Sequence, residues 1–327
     1  MNGVPHLDDG LPYLDGDTVR GLVPPGRAVQ ALEDALRGGL DPETTPPRPV
    51  VDVPAGQLLL MPAFWGAYAG VKIATVAPDN PRRGLPRIQA VHLLLDAATL
   101  SPVATMDGTA LTSLRTPAVS ALAVRRLASP DARSLVVFGS GPQAWGHVAA
   151  LREERPVDRV TVVARDPGGA ARLAERCAAE GLTARSHPAS DPAWHRAVEE
   201  ADLIACCTTA RTPLFPGRLV RDGAVVVAVG SHEPGARELD DDLVARAVVV
   251  VEARSAALTE AGDLVVPIRD GRITADHLAG NLAELVAGRV DPGSGPRVFK
   301  SVGMAWQDLV VAAAAYEAWT SRRGDLQ

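Results

Sequence analysis

The sequence predicts a two-domain α/β protein, with a helix-covered parallel sheet in one domain and an α+β arrangement in the other. Three observations support this prediction. The 327 residues, 46% of them hydrophobic, suffice for a core in each of two domains. Strand-like segments follow one another closely between residues 57 and 103. After Asp131, strands and helices alternate with short loops, which is typical of a parallel sheet.

Hydrophobic periodicity predicts the elements of the first part of the chain. An amphipathic helix over Pro24–Leu40 places Val29, Leu32 and Leu36 on one face. The proline-rich stretch Pro42–Pro54 cannot form a regular helix. The remaining elements are three strands and one helix: Gln57–Met61, Ala69–Val76, Ile88–Asp96 and Thr112–Leu127.

The second part of the chain has the alternating pattern. Its strands are short and apolar: Ser134–Phe138, Arg159–Ala164, Thr183–Ser186, Leu203–Cys207, Ala224–Val229 and Ala247–Val251. Helices are predicted from the turn after the first strand to Arg152, over Pro167–Glu180, over Asp191–Ala201 and, at the end, over Met304–Ser321. We therefore predict one domain of residues 1–127 completed by the C-terminal segment 304–327, and a second domain of residues 128–303.

Composition excludes several classes of protein. The net charge is -6 with interspersed charges, so no basic surface for nucleic acid is expected. No apolar run reaches the roughly 18 residues of a membrane span, and the N-terminus lacks a signal-peptide pattern. Cys177, Cys206 and Cys207 lack metal-ligand spacing, and the adjacent pair in an apolar run indicates buried reduced thiols. We predict a cytoplasmic protein without a metal.

A glycine-rich turn follows the strand Ser134–Phe138 and opens a helix. It consists of Gly139, Ser140, Gly141, Pro142, Gln143 and Ala144. In this strand–turn–helix context Gly-x-Gly-x-x-Ala predicts a Rossmann-type dinucleotide site. Gly139 permits the tight turn, Gly141 lets the backbone approach the pyrophosphate, and Ala144 keeps helix and strand close.

The end of the next strand distinguishes the two nicotinamide dinucleotides. An acidic residue there binds the ribose 2′-hydroxyl, whereas an arginine binds the 2′-phosphate. The strand ends in Ala164 and is followed by Arg165 and Asp166. Arg165 favours NADP(H) over NAD(H), while Asp166 is either a helix cap or, if the strand ends one residue later, the ribose ligand.

Three basic residues stand in unexpected places in the first domain. Lys72 lies in an apolar strand, Arg48 in the proline-rich loop, and Arg115 at the start of an apolar helix. Each alone is compatible with a solvent-exposed side chain. Together they suggest a pocket for a small carboxylate, in which the arginines bind the anion and a desolvated lysine transfers a proton.

Five stretches of the sequence resemble the ornithine cyclodeaminase/mu-crystallin family, in the same order along the chain. They are Gly70–Pro81, Met106–Ala123, Val136–His147, Val226–Asp240 and Val298–Ala312. The resemblance implies a homodimer whose first domain, joined by the C-terminal helix, builds both the substrate pocket and the dimer contact. It implies that the residues matching Arg48, Lys72 and Arg115 hold the substrate carboxylate. We also assign Thr208, Val229, Gly230 and Ser231 to cofactor binding.

One position departs from the family's cyclodeaminases. They carry an aspartate in a Val-Gly-x-Asp-x-Pro-Gly loop, where this sequence has His232. A histidine does not anchor an ammonium by charge, although the neutral ring accepts a proton. The loss favours reduction of an imine that is already formed, with His232 and Lys72 as candidate catalytic residues. A solvent-exposed loop histidine is the alternative.

Three functional hypotheses follow, and the first is favoured. It is an NAD(P)H-dependent reductase of a small imino or keto acid. The second is an ornithine or lysine cyclodeaminase that uses NAD+ catalytically. The third is an NADPH-gated binding protein of mu-crystallin type. The aromatic residues Phe64, Trp65 and Tyr68 are assigned equally to a pocket wall or to the dimer contact.

Overall fold

The computed structural model describes residues 10–324 of the chain. Residues 1–9, where a signal-peptide pattern is not expected, and residues 325–327 of the predicted C-terminal segment lie outside this range. The chain separates into two compact units, residues 10–115 with 304–324 and residues 116–303. The boundary between them falls inside one helix and, again, at Gly303–Met304. None of the helices in residues 10–324 is long and apolar enough to cross a membrane.

The first unit is built on a six-stranded sheet. Its strands are β1 (Tyr13–Leu14), β2 (Val50–Val53), β3 (Gly56–Trp65), β4 (Tyr68–Val76), β5 (Ile88–Asp96) and β6 (Pro102–Asp107), in the order β1-β6-β5-β4-β3-β2. All neighbours are antiparallel except β1 and β6. Its helices are α1 (Gly16–Leu22), α2 (Pro25–Arg37), the first part of α3 (Gly108–Leu127) and, from the chain's end, α11 (Ala305–Gly324).

The two faces of this sheet differ in what covers them. On the inner face Met61, Lys72, His92 and Met106 lie side by side across four strands, and all four are buried beneath α11 and its neighbours. On the outer face most residues between them are apolar, and all are only half-buried or exposed. The alternation follows from the period of two along a strand. It leaves one apolar face of the sheet uncovered by the described residues of this chain.

The second unit holds an eight-stranded parallel sheet. Its strands are β7 (Ser134–Phe138), β8 (Arg159–Ala164), β9 (Thr183–Pro188), β10 (Leu203–Cys206), β11 (Val225–Ala228), β12 (Val248–Val251), β13 (Leu278–Asn281) and β14 (Arg297–Lys300). They follow the order β13-β12-β14-β11-β10-β7-β8-β9. Its helices are α4 (Pro142–Glu154), α5 (Pro167–Ala179), α6 (His195–Glu199), α7 (Asp241–Arg246), α8 (Arg254–Glu260), α9 (Gly262–Arg269) and α10 (Leu282–Val286). The near-continuous valine runs fit strands buried on both faces.

The predicted fold class, a Rossmann-type domain with an α+β domain, is confirmed. The helix predicted over Asp191–Ala201 is confirmed only in part, as a 3-10 turn over Pro192–Trp194 that continues into the five-residue α6. The Asp191 carboxylate accepts from the backbone N–H of Ala193, which stabilises a tight first turn. Elements with no periodic signal were not predicted, namely α1, β1, β2, β6, β13, β14 and the short helices α7–α10.

Candidate functional site

The glycine-rich turn joins β7 to α4 with the geometry of a phosphate-binding turn. Gly139 has φ +111°, and a Cβ there would lie 2.6 Å from the Cys207 carbonyl oxygen, so only glycine fits. Gly141 is the N-cap of the 13-residue α4, makes no side-chain cap hydrogen bond, and has nothing within 4 Å of an added Cβ. Pro142 occupies the first turn and Ala144 is fully buried. The backbone N–H groups at this helix start are therefore accessible to a pyrophosphate.

The end of β8 is followed by an exposed arginine and an exposed aspartate. β8 ends at Ala164, and the exposed Arg165 places Nη2 3.4 Å from the Thr209 hydroxyl. Asp166 is the N-cap of α5, where its carboxylate accepts from the Gly168 N–H at 3.1 Å and lies 3.5 Å from Arg172. Asp166 thus has the helix-capping role that the sequence left open, and Arg172 adds a second arginine.

The loops after β10 and β11 cross closely next to a buried glutamate. A Cβ on Gly230 would lie 2.0 Å from the Thr208 carbonyl oxygen, so the crossing requires glycine. The Glu238 carboxylate accepts from the Thr208 N–H and hydroxyl at 2.8 and 2.7 Å, and from the Gly230 N–H at 2.8 Å. The Thr208 hydroxyl, predicted to contact the cofactor, therefore donates to a protein carboxylate. Val229 is half-buried, Ser231 is buried, and His232 is exposed.

Two of the three predicted basic residues of the first unit, Lys72 and Arg115, meet at one buried carboxylate. Lys72 Nζ lies 2.7 Å from Asp308 Oδ2 and 3.0 Å from the Thr112 hydroxyl. Arg115 Nε lies 3.2 Å from Asp308 Oδ1, and its Nη1 donates to Gln307 Oε1 at 2.7 Å. Three elements supply these groups: β4 carries the lysine, α3 the arginine, and the first turn of α11 the aspartate.

Burial and charge tune this cluster. Burial lowers the pKa of Lys72 to about 8, with Asp308 opposing the decrease and the Arg115 and Arg48 charges adding to it. Although burial disfavours ionisation of Asp308, Arg115 and Lys72 hold its pKa below the usual value. The half-buried Arg48 lies close enough to act electrostatically on Lys72. A lysine with a pKa near 8 exchanges protons readily around neutral pH.

His92, which the sequence gave no reason to select, is the cross-strand partner of Lys72 on the inner face. Neither of its ring nitrogens has a hydrogen-bond partner among the described residues. Burial lowers the pKa of His92 to about 4, so the ring is neutral near pH 7. A Cβ on Gly70 would lie 2.8 Å from His92 Nε2, so the glycine makes room for the imidazole.

Asp308, Gln307 and Thr112 were missed from the sequence. Asp308 lies in the first turn of the largely apolar helix α11. An acidic residue at such a position is usually explained by its favourable interaction with the helix dipole. Only its complete burial next to two cations shows another role. The predicted reduced thiols are free: Cys206 is buried, Cys207 is half-buried, and burial raises the pKa of both well above the usual value.

The parallel sheet and its glycine turn define a nicotinamide-dinucleotide-dependent oxidoreductase with a Rossmann-type domain. The chain belongs to the ornithine cyclodeaminase/mu-crystallin family, whose model matches residues 25–323.

Among its relatives, a Δ1-pyrroline-2-carboxylate reductase of Bacillus cereus is 36% identical over 76% of each chain. The structure of a Thermococcus litoralis Δ1-pyrroline-2-carboxylate reductase with NADH and L-proline superimposes with a TM-score of 0.89, at 30% identity over 95% of this chain and 98% of that one. An archaeal alanine dehydrogenase dimer with bound NAD gives a TM-score of 0.88, at 29% identity over 96% and 97%. The chain is accordingly a pyridine-nucleotide-dependent imine or keto-acid reductase, as the sequence predicted.

Proposed function

We propose that this protein reduces the C=N bond of a small cyclic imino acid of the Δ1-pyrroline-2-carboxylate class, with NADPH as the preferred reductant. The observation that carries the proposal is the Lys72–Asp308–Arg115 cluster, which joins a cationic anchor for a carboxylate to a lysine with a pKa near 8. The relatives' substrates support the choice of imine.

The residues divide the reaction between binding and proton transfer. Arg115 is oriented by Asp308 and Gln307, and together with Arg48 it binds the substrate carboxylate. Lys72 donates the proton that the imine nitrogen requires, because its ammonium form predominates at pH 7 while its pKa permits transfer. His232 is a second candidate for this proton. The dinucleotide, held at Gly139–Ala144, supplies the hydride to the imine carbon when bound.

Preference for NADPH is proposed from the end of β8. Arg165 and Arg172 are both exposed, and Ala164 stands where the strand ends. The carboxylate of Asp166, the next residue in the chain, accepts from the Gly168 N–H and lies 3.5 Å from Arg172. Two guanidinium groups suit a 2′-phosphate, whereas a capped aspartate is poorly placed to accept from a 2′-hydroxyl.

We propose that the outer face of the first unit's sheet forms a homodimer contact. Phe64 is 71% exposed, and Val51 and Val91 are each more than 40% exposed. Leu60, Ile73 and Val91 form one apolar row across three strands. Apolar faces of this kind mark interfaces in otherwise polar surfaces. The dimer described for the archaeal alanine dehydrogenase supports a second copy of the chain as the occupant.

Steady-state assays of NADPH oxidation test the proposed function. The panel is Δ1-pyrroline-2-carboxylate, Δ1-piperideine-2-carboxylate, and pyruvate with ammonia or methylamine. Turnover of a cyclic imine is the expected result, whereas tight NADPH binding without turnover on this panel would contradict it and support a binding protein. Ammonia release from ornithine with NAD+ and no net change in absorbance would instead identify a cyclodeaminase. A His232→Asp variant tests whether the missing aspartate is the barrier to that reaction.

A further inference from the structure

A second buried charge cluster lies in the other unit, at the carboxyl ends of its parallel strands. Lys300, the last residue of β14, has its Nζ 2.7 Å from the Ser231 carbonyl oxygen and 2.9 Å from Asp263 Oδ2. Asp263 Oδ1 accepts from the backbone N–H groups of Glu238 and Leu239 at 2.7 and 2.8 Å. Lys300, Asp263 and Glu238 are completely buried. We call these three residues the loop cluster.

Most contacts of the loop cluster are with loop backbone. Glu238 Oε1 accepts from the Thr208 N–H and Oε2 from the Gly230 N–H, so one carboxylate joins the loops after β10 and β11. Lys300 donates a hydrogen bond to the carbonyl oxygen of Ser231, the residue after Gly230. Within the same segment, the Ser231 hydroxyl donates to the Ala236 carbonyl. The backbone is thus anchored on both sides of His232, at Gly230–Ser231 and at Ala236–Leu239.

Burying three ionisable groups carries a large desolvation cost, and an apolar trio of the same volume avoids it. An apolar trio cannot, however, accept hydrogen bonds from four backbone N–H groups and donate one to the Ser231 carbonyl. The contacts therefore account for these residue types as a way of fixing loop backbone at the edge of the sheet where the glycine turn also lies.

We propose that Lys300, Asp263 and Glu238 are positioning residues for catalysis, which fix the Val229–Arg237 loop and with it His232. The proposal rests on the proposed reductase function. It predicts that loosening the cluster lowers turnover while leaving the phosphate turn Gly139–Ala144 able to bind the dinucleotide.

The test is the double variant Lys300→Met/Asp263→Asn. It keeps the net charge of the cluster, and the asparagine oxygen still accepts from Glu238 and Leu239, but Ser231 loses its donor. The matched control is Arg125→Met/Glu154→Gln, which removes a two-bond ion pair of the same unit (2.7 and 2.8 Å) that touches neither loop. Both are measured for kcat, NADPH dissociation constant, melting temperature and hydrogen exchange.

In the double variant we expect amide exchange in residues 229–237 to accelerate at least about tenfold. We expect kcat to fall about tenfold, the low end for loss of a supporting residue, because His232 is the second and not the first candidate for the proton. The NADPH dissociation constant should change by a smaller factor than kcat, because the phosphate turn Gly139–Ala144 keeps its contacts. In the control, kcat should change less than about threefold. Equal losses of kcat in both variants, or unchanged kcat in the double variant, would overturn the proposal.

Glu238→Gln provides an independent check. Both oxygens of Glu238 accept, so the glutamine amide must present an N–H to the donor of Thr208 or of Gly230. Faster exchange at one of these two loops, with a lower kcat, supports positioning, and wild-type exchange at both contradicts it. If the wild-type enzyme reduces none of the imines, the proposed function fails. The exchange measurements then still decide whether the loop cluster fixes the loop.

Discussion

Each of the two units buries a strand lysine against a helix aspartate, yet the two clusters are built to different ends. In the first unit, Lys72 and Arg115 share the single carboxylate of Asp308, which leaves an excess of cationic groups. In the second, Lys300 faces two carboxylates, and these accept mainly from backbone N–H groups. The first arrangement retains capacity for an anionic ligand. The second uses its charges within the protein. We therefore propose that the same residue types serve substrate binding in one place and loop geometry in the other.

The largest expected effect is on catalysis, and it comes from replacing Lys72 of the first cluster. Lys72→Met should lower kcat/KM for imine reduction by about 1000-fold, because the proton donor is removed. NADPH binding should be unchanged, since no contact of Lys72 involves the phosphate turn. Initial rates and fluorescence titration measure the two quantities. A Lys72→Met enzyme within about tenfold of wild type would show that another group, His232 first, donates the proton.

For the free energy of unfolding, replacing Lys300 should have a larger effect than replacing Lys72. Lys300→Met leaves Asp263 and Glu238 without a buried cation and should lower the free energy of unfolding by about 3–5 kcal/mol. Lys72→Met leaves Asp308 paired with Arg115 and should cost less than about 1–2 kcal/mol. Urea unfolding of both variants at pH 7 makes the comparison. Equal losses would mean that the two clusters do not differ as described.

The proposed preference for NADPH is tested by replacing Arg165. Arg165→Ser should weaken NADPH binding about tenfold, the low end for a charge-assisted hydrogen bond at an exposed site. NADH binding should not change, because NADH has no 2′-phosphate. Arg185→Ser is the control, since Arg185 is an equally exposed arginine on β9. Parallel loss of affinity for both dinucleotides would refute a phosphate contact.

The smallest expected effect is a shift in pH dependence. For the wild-type enzyme, kcat/KM for imine reduction should fall above about pH 8, as Lys72 loses its proton. Asp308 raises the pKa of Lys72, so Asp308→Asn should move this limb to lower pH by about one unit or more. Titration of the substrate is the same for both enzymes, so the difference isolates the lysine. An unmoved limb would exclude Lys72 as its source.

The sequence predicted what depends on local pattern. The turn Gly139–Ala144 needs a strand before it and a helix after it, and both are visible in the sequence. Lys72 and Arg115 stood out because charges are rare in apolar segments. Asp308 and Glu238 did not, because their roles arise from partners about 190 residues away or from backbone N–H groups of separate loops. Such contacts leave no periodic or motif signal in a single sequence.

The order of elements along the chain has a consequence for synthesis. Helix α11, which covers the inner sheet face and supplies Asp308, is made only after residues 116–303. At a synthesis rate of roughly 5–20 residues per second, about 10–40 s pass between synthesis of the sheet and synthesis of that helix. Residues 116–303 can pack meanwhile, whereas Lys72 meets its counter-ion at the very end. Nascent chains arrested before residue 305 should therefore be cleaved by protease in the first unit and not in the second. A chaperone that shields the uncovered sheet would act between synthesis of the sheet and synthesis of α11.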